Sequence, residues 1–182
     1  MASLFARGGK ATNTLIGINL IVFLAQLASG GNLTAFLALY PGSVAAMPWT
    51  IITSGFAHST SNLLHIGLNM YSLWLLGRSL EPIVGTRRFV IIYLAAIVGG
   101  SIAFILFNPN DFAVGASGGI FGLMGAYFVV IRALGFRPNQ ILGVIAVNLV
   151  IGFLMPGIAI SAHIGGLVAG SAVAWYFTKA RR

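Results

Sequence analysis

Ser117 and His163 are the residues of this sequence best suited to nucleophilic chemistry. Ser117 stands in Val114-Gly115-Ala116-Ser117-Gly118-Gly119, where a glycine-rich turn runs into an apolar segment. His163 opens another such segment, in Ser161-Ala162-His163-Ile164-Gly165-Gly166. A serine hydroxyl becomes a useful nucleophile when a base such as imidazole takes its proton. At a helix start it also has free backbone N–H groups and the positive end of the helix dipole beside it, which would stabilise an oxyanion. His65 and Asn69 are four residues apart, on one face of a helix, and can supply further donors from their side chains. Gly115 and Ala116 flank the serine and join the same candidate oxyanion and substrate-binding group. Together these parts suit acyl transfer. The plainer reading of Ser117 is a helix cap among packing glycines, and that of Asn69 a link between helices.

The elements that carry these residues are set by composition. Of 182 residues, 58% are hydrophobic and only 7% charged. A soluble domain carries about a quarter charged residues, so the chain reads as an integral membrane protein, with 1–182 as one all-α membrane domain. A net charge of +8 would suit nucleic acid, but the basic residues lie at segment ends, so no nucleic-acid partner is expected. Without cysteine, thiol catalysis, disulfides and thiolate metal sites are excluded.

Six apolar segments are expected to cross or nearly cross a lipid bilayer: 12–28, 61–80, 89–107, 118–134, a short one at 140–155, and 162–177. The first resembles a signal peptide, but it is long for one, and the charge pattern requires it to be retained. Arg7, Lys10, Arg78, Arg87, Arg88, Arg132, Arg137, Lys179, Arg181 and Arg182 all fall on one side if there are six crossings. The positive-inside rule then places both termini in the cytoplasm. The connection 30–60 carries no basic residue and is not hydrophilic, so it is expected to rest in the interface or be buried in protein, with Trp49 as an interfacial anchor.

Depth brings the polar residues together. Ser117 stands 15 residues before Arg132, His163 stands 16 before Lys179, and His65 stands 13 before Arg78. At about 1.5 Å per residue these are rises of roughly 22, 24 and 20 Å, one layer below the outer surface. Gly118-xxx-Gly122 and Gly166-xxx-Gly170 are small-residue faces through which two helices approach closely, carrying Ser117 towards His163. Phe121, one turn after Ser117, reads as packing or as a brace for an imidazole over the serine.

Elimination narrows the chemistry. Glu81 is 16 residues from His65, at the opposite end of its helix, and Asp111 lies in an outer turn after Asn108-Pro109-Asn110. Neither is placed to orient a base, which leaves a Ser–His dyad in place of a triad with a carboxylate. Three histidines, His58, His65 and His163, make a thin case for a metal, because no carboxylate shares their layer; no metal and no cofactor are expected. A channel or transporter would continue the polar layer to the cytoplasmic side, yet below Asn69 the helices are mostly apolar.

Gly-Ala-Ser117-Gly and Ala162-His163-Ile164-Gly165-Gly166 resemble the active-site motifs of the rhomboid intramembrane serine proteases. His65-xxx-Asn69-Met70 followed by Gly77-xxx-Glu81 is similar to the second-helix signature of that family. The order and spacing agree from about Trp49 to Gly170. The resemblance implies a six-helix rhomboid bundle, with Ser117 as nucleophile and His163 as general base. It implies an oxyanion hole lined by His65, Asn69 and the Ser117 backbone N–H, and a water-filled cavity opening outwards. It also implies that the short fifth helix is a lateral gate and that the substrates are single-span membrane proteins. The expected location is a bacterial plasma membrane with the site open to the outer side. Many members carry Trp-Arg in the first long loop where this chain has Trp49-Thr50, which bears on the hydrogen bonding of that loop. The chain looks like the minimal six-helix form. A catalytically silent relative that binds client helices is the alternative; inactive relatives lose the serine or the histidine, and both stand here.

Overall fold

The computed structural model describes residues 9–155 and 157–180. Arg7, Arg181 and Arg182, three of the charges used for orientation, lie outside the described residues. The described chain is all helical: α1 Lys10–Ala28, α2 Asn32–Leu37, a 3-10 turn Pro41–Ser43, α3 Thr50–Thr53, α4 Leu63–Val84, α5 Thr86–Phe107, α6 Ser117–Ala133, α7 Asn139–Leu154 and α8 Ile160–Lys179. The six long helices match the six apolar segments of the sequence, mostly within two residues. The largest shift is the end of α4, which runs through Pro82 to Val84. Proline costs an intrahelical hydrogen bond in mid-helix but is tolerated here, two residues from the end of α4. Gly85, at φ 88, then turns the chain directly into α5.

α1, α5 and α8 are long and apolar enough to cross a membrane. α6 and α7 are shorter apolar helices of 17 and 16 residues. The outward faces are studded with large apolar side chains such as Ile21, Leu64, Phe107 and Phe153, the last 80% exposed. Water would not tolerate that surface on a monomer, and lipid does.

α6 is the centre of the bundle and touches α4, α5, α7 and α8. Its buried run Gly118–Ala126 contains no ionisable side chain. Glycine sets its spacing to α8. A Cβ on Gly166 or Gly170 would collide with the backbone of Gly118 or Gly122 respectively, and one on Gly125 would lie 2.6 Å from the Leu167 carbonyl. α5 closes on the same seam, where a Cβ on Gly100 would meet the Ala162 carbonyl at 2.7 Å. In a bilayer, tight packing of small residues supplies association energy that the hydrophobic effect does not. α7 sits apart by comparison, with only Ile141, Ile145 and Gly152 buried.

Glu81 explains the lower end of the bundle. Its carboxylate accepts the backbone N–H of Ala11 (3.0 Å) and of Thr12 (2.9 Å), the Thr12 hydroxyl (2.7 Å) and the Thr86 hydroxyl (2.9 Å). An anion is thereby placed on the free N–H groups at the start of α1 and beside the start of α5, where helix dipoles favour it. Gly77, one turn earlier, leaves room for the Thr12 side chain.

The connection 30–60 is part interface and part core. Phe36, Trp49 and Ile52 face outwards, while Ala38, Leu39, Thr50, Ala57 and His58 are buried. Trp49 stacks near Phe36, at 5.0 Å between ring centroids, and donates its indole N–H to the Phe36 carbonyl (3.0 Å). Thr50 satisfies its hydroxyl locally, donating to the Met47 carbonyl (2.7 Å). The connection is stitched to the segment preceding α6. Leu39 and Ala113 exchange two backbone hydrogen bonds at 3.0 Å, and Gly115 N–H donates to the Ser54 carbonyl (2.9 Å).

Candidate active site

Ser117 is the first residue of α6, and Gly115 makes the turn that delivers it there. Gly115 has φ 130, a conformation that side chains with a Cβ rarely adopt. A Cβ at that position would lie 2.8 Å from Nε2 of His65 and 3.7 Å from Oγ of Ser117. His65 therefore points across Gly115 towards the serine.

His163 lies in the first turn of α8, three residues inside its start at Ile160. Its Nε2 is 2.9 Å from Oγ of Ser117. The glycine seam between α6 and α8 fixes that distance by backbone contact, so the approach inferred from the small-residue faces is present. Phe121, on the next turn of α6, stacks on the His163 imidazole with centroids 4.3 Å apart and planes 12° from parallel. Nδ1 of His163 is buried without a hydrogen-bond partner among the described residues. It faces Gly152 of α7, where a Cβ would lie 3.5 Å away. Neither acid reaches it. Glu81 is engaged at the far end of α4, and Asp111 accepts the N–H of Phe112 (2.8 Å) in an exposed turn.

On α4, Nδ1 of His65 accepts the backbone N–H of Ser59 (3.2 Å). A nitrogen that accepts carries no proton, so in the neutral imidazole the hydrogen is on Nε2, the atom facing Gly115 and Ser117. Asn69 donates one amide hydrogen to the His65 carbonyl within its own helix (2.7 Å). That bond restrains the Asn69 side chain, which the sequence offers either as a donor towards the serine or as a link between helices. His58 stacks obliquely on His65, 5.2 Å between centroids. Burial, and to a lesser degree the neighbouring His65, push the His58 pKa down from 6.5 to about 4. No group of three or more potential metal ligands occurs among the described residues.

A cavity of about 40 Å³ adjoins the serine, lined by Ser54, Ile97, Ser101, Gly115, Ser117 and Ala162, among others. It is large enough for a water molecule, and Ser54, Ser101 and Ser117 put hydroxyl-bearing residues in its lining.

A serine hydroxyl on an imidazole, an imidazole nitrogen facing across a glycine turn, and a helix N-terminus thus meet inside a bundle of apolar helices. Residues 45–180 match the Rhomboid domain family, and the chain belongs to that family as an integral membrane protein. It is 35% identical over 180 residues to "Rhomboid protease GluP" of Bacillus subtilis (strain 168), covering 90% of this chain and 34% of that protein. It is 36% identical over 129 residues to "RHOMBOID-like protein 6, mitochondrial" of Arabidopsis thaliana, with 67% and 41% covered. It is 31% identical over 128 residues to "Putative rhomboid protease YdcA" of Bacillus subtilis (strain 168), with 67% and 63% covered. The chain thus spans from about a third to under two thirds of the length of these relatives.

Proposed function

We propose that this protein is an intramembrane serine endopeptidase that cleaves single-span membrane proteins by a Ser117–His163 dyad. The observation that carries the reading is the 2.9 Å contact between Ser117 Oγ and His163 Nε2, partly buried in a helical bundle and remote from both acids. Ser117 Oγ attacks the scissile carbonyl while Nε2 of His163 takes its proton. The tetrahedral oxyanion is met by the Ser117 backbone N–H and the Nε2–H of His65, with Asn69 able to turn its second amide hydrogen to the same place. His163 returns the proton to the leaving amine, and water then cleaves the acyl-enzyme with the same histidine as base. The dipole of α6 favours the negative charge at each tetrahedral stage.

The orientation in this reading has both ends of the bundle cytoplasmic and the site opening to the outer face. It rests on Lys10, Arg78, Arg87, Arg88, Arg132, Arg137 and Lys179, all on connections or ends of one parity. The membrane is taken to be a bacterial plasma membrane, in keeping with the Bacillus relative that matches nine tenths of the chain. α7, the least packed of the long helices, is the gate through which a substrate helix reaches the serine. The alternative is a silent relative that binds client helices, and the intact serine–imidazole contact weighs against it.

A serine-directed fluorophosphonate separates the two. It labels the protein and fails to label Ser117→Ala, which loses cleavage of a model transmembrane substrate by at least about three orders of magnitude while keeping its Tm. Undiminished cleavage by Ser117→Ala would end the proposal. Failure of the probe on the intact protein would favour client binding.

A further inference from the structure

Buried polar side chains inside a bundle are costly unless they do something, and α1 carries three of them. Thr12, Asn19 and Gln26 are spaced by seven residues, hence on one face, and all are fully buried. Thr12 is explained by Glu81. Gln26 is explained by the chain leading to His65.

The Gln26 amide grips one stretch of backbone from both sides. Its Oε1 accepts the N–H of His58 (2.9 Å), and its Nε2 donates to the His58 carbonyl (3.0 Å) and to the Thr34 hydroxyl (2.8 Å). The His58 carbonyl and the Ser59 N–H belong to one peptide group. That N–H is the donor to Nδ1 of His65. Three groups are therefore in series: the Gln26 amide, the 58–59 peptide, and the His65 imidazole. A peptide whose carbonyl accepts a hydrogen bond is a stronger donor at its N–H, because the bonds polarise one another. The far end of the series is Nε2–H of His65, across Gly115 from Ser117.

We propose that Gln26 of the first helix is a positioning residue for the oxyanion site, acting through the 58–59 peptide to hold His65 as its Nε2–H tautomer. This rests on the hydrolase reading above for its consequence, though not for its geometry. α1 contributes no group that touches Ser117, yet through Gln26 it decides which nitrogen of His65 carries the proton. The series also explains why the segment before α4 needs no regular structure: side-chain amide bonds hold it in place of a ladder.

The experiment uses the full chain in micelles with histidine labelled at its ring nitrogens. In the unmodified protein the nitrogen resonances of His65, assigned by their loss in His65→Ala, report a proton on Nε2. Gln26→Met is expected to shift them towards a mixture of tautomers and to slow fluorophosphonate labelling of Ser117 about fivefold, the worth of one hydrogen bond. In a His65→Ala background, Gln26→Met is expected to slow labelling no further. Equal losses in the two backgrounds, or an unshifted tautomer, would overturn the proposal. Ser59→Pro removes the donor to His65 with Gln26 intact, and covers the case in which Gln26→Met does not fold. It is expected to reproduce the tautomer shift, and an unshifted His65 in that variant also overturns the proposal. A protein that the fluorophosphonate never labels would refute the hydrolase reading alone, since the tautomer is read without turnover.

Discussion

The ring of Phe121 lies flat on the imidazole of His163, 4.3 Å away, while the edge of that imidazole holds the hydroxyl of Ser117 at 2.9 Å. In a serine–histidine–aspartate site a carboxylate fixes the imidazole from its Nδ1 side. Here that side is buried against Gly152 with no carboxylate within reach. The orientation of the imidazole is left to a flat aromatic surface and to the narrow space that α7 leaves.

Phe121→Leu is accordingly expected to slow acylation more than it weakens substrate binding. The loss of an aromatic pair, about 0.5–1.5 kcal/mol, corresponds to a two- to tenfold fall in kcat, with KM little changed. Steady-state cleavage of a transmembrane substrate in vesicles measures both constants. A variant that raises KM and spares kcat would show that the stack serves packing alone.

Glu81 makes the opposite kind of prediction. It holds the starts of α1 and α5 and lies far from Ser117, so its loss belongs to stability. Glu81→Ala strips the anion from two buried N–H groups and two hydroxyls, at a cost of roughly 3 kcal/mol or more. Thermal unfolding in micelles should show a lowered Tm, and fluorophosphonate labelling normalised to folded protein should stay near that of the parent. A fall in normalised labelling would tie Glu81 to the chemistry.

The pH dependences of stability and cleavage should separate. His58 is neutral in the fold, with its pKa lowered from 6.5 to about 4. Above pH 6.5 folded and unfolded chains both hold it neutral, and stability is full. As pH falls from 6.5 towards 4 the unfolded chain takes up a proton that the folded chain refuses, so stability declines by up to about 1.4 kcal/mol per pH unit. Below 4 both states are protonated and this decline stops. His58→Phe should flatten the Tm profile over that window. The acid loss of cleavage, which follows protonation of His163 in the proposed mechanism, should persist in His58→Phe. Coincident changes in both profiles would contradict the separation.

Much of this was legible beforehand because membrane helices announce themselves by length and hydropathy. The ends of α5, α6, α7 and α8 fell within a few residues of the apolar segments, and the small-residue faces foretold the seam that brings Ser117 to His163. What was hidden was whatever depends on backbone donors. No side-chain pattern signals that the Ser59 N–H meets His65, or that Asn69 spends one hydrogen on the His65 carbonyl. Glu81 could be excluded from the site by depth, but its role as a cap on α1 required knowing which helix start lies beside it. Gln26 does carry a signal in the sequence. Polar residues at 12, 19 and 26 share one face of a helix that is otherwise apolar from Leu15 to Ala28, and such a face is turned inward.

The glycine seam between α6 and α8 has a mechanical meaning. A gap between helices that is filled by side chains can widen or narrow as rotamers change, but main chain resting on main chain is a hard stop. Lateral pressure from the surrounding lipid, which varies with membrane composition, presses these helices against an almost incompressible joint. Ser117 and His163 therefore ride on a seam of main chain against main chain, while the loosely packed α7 is the long helix with room to take up strain.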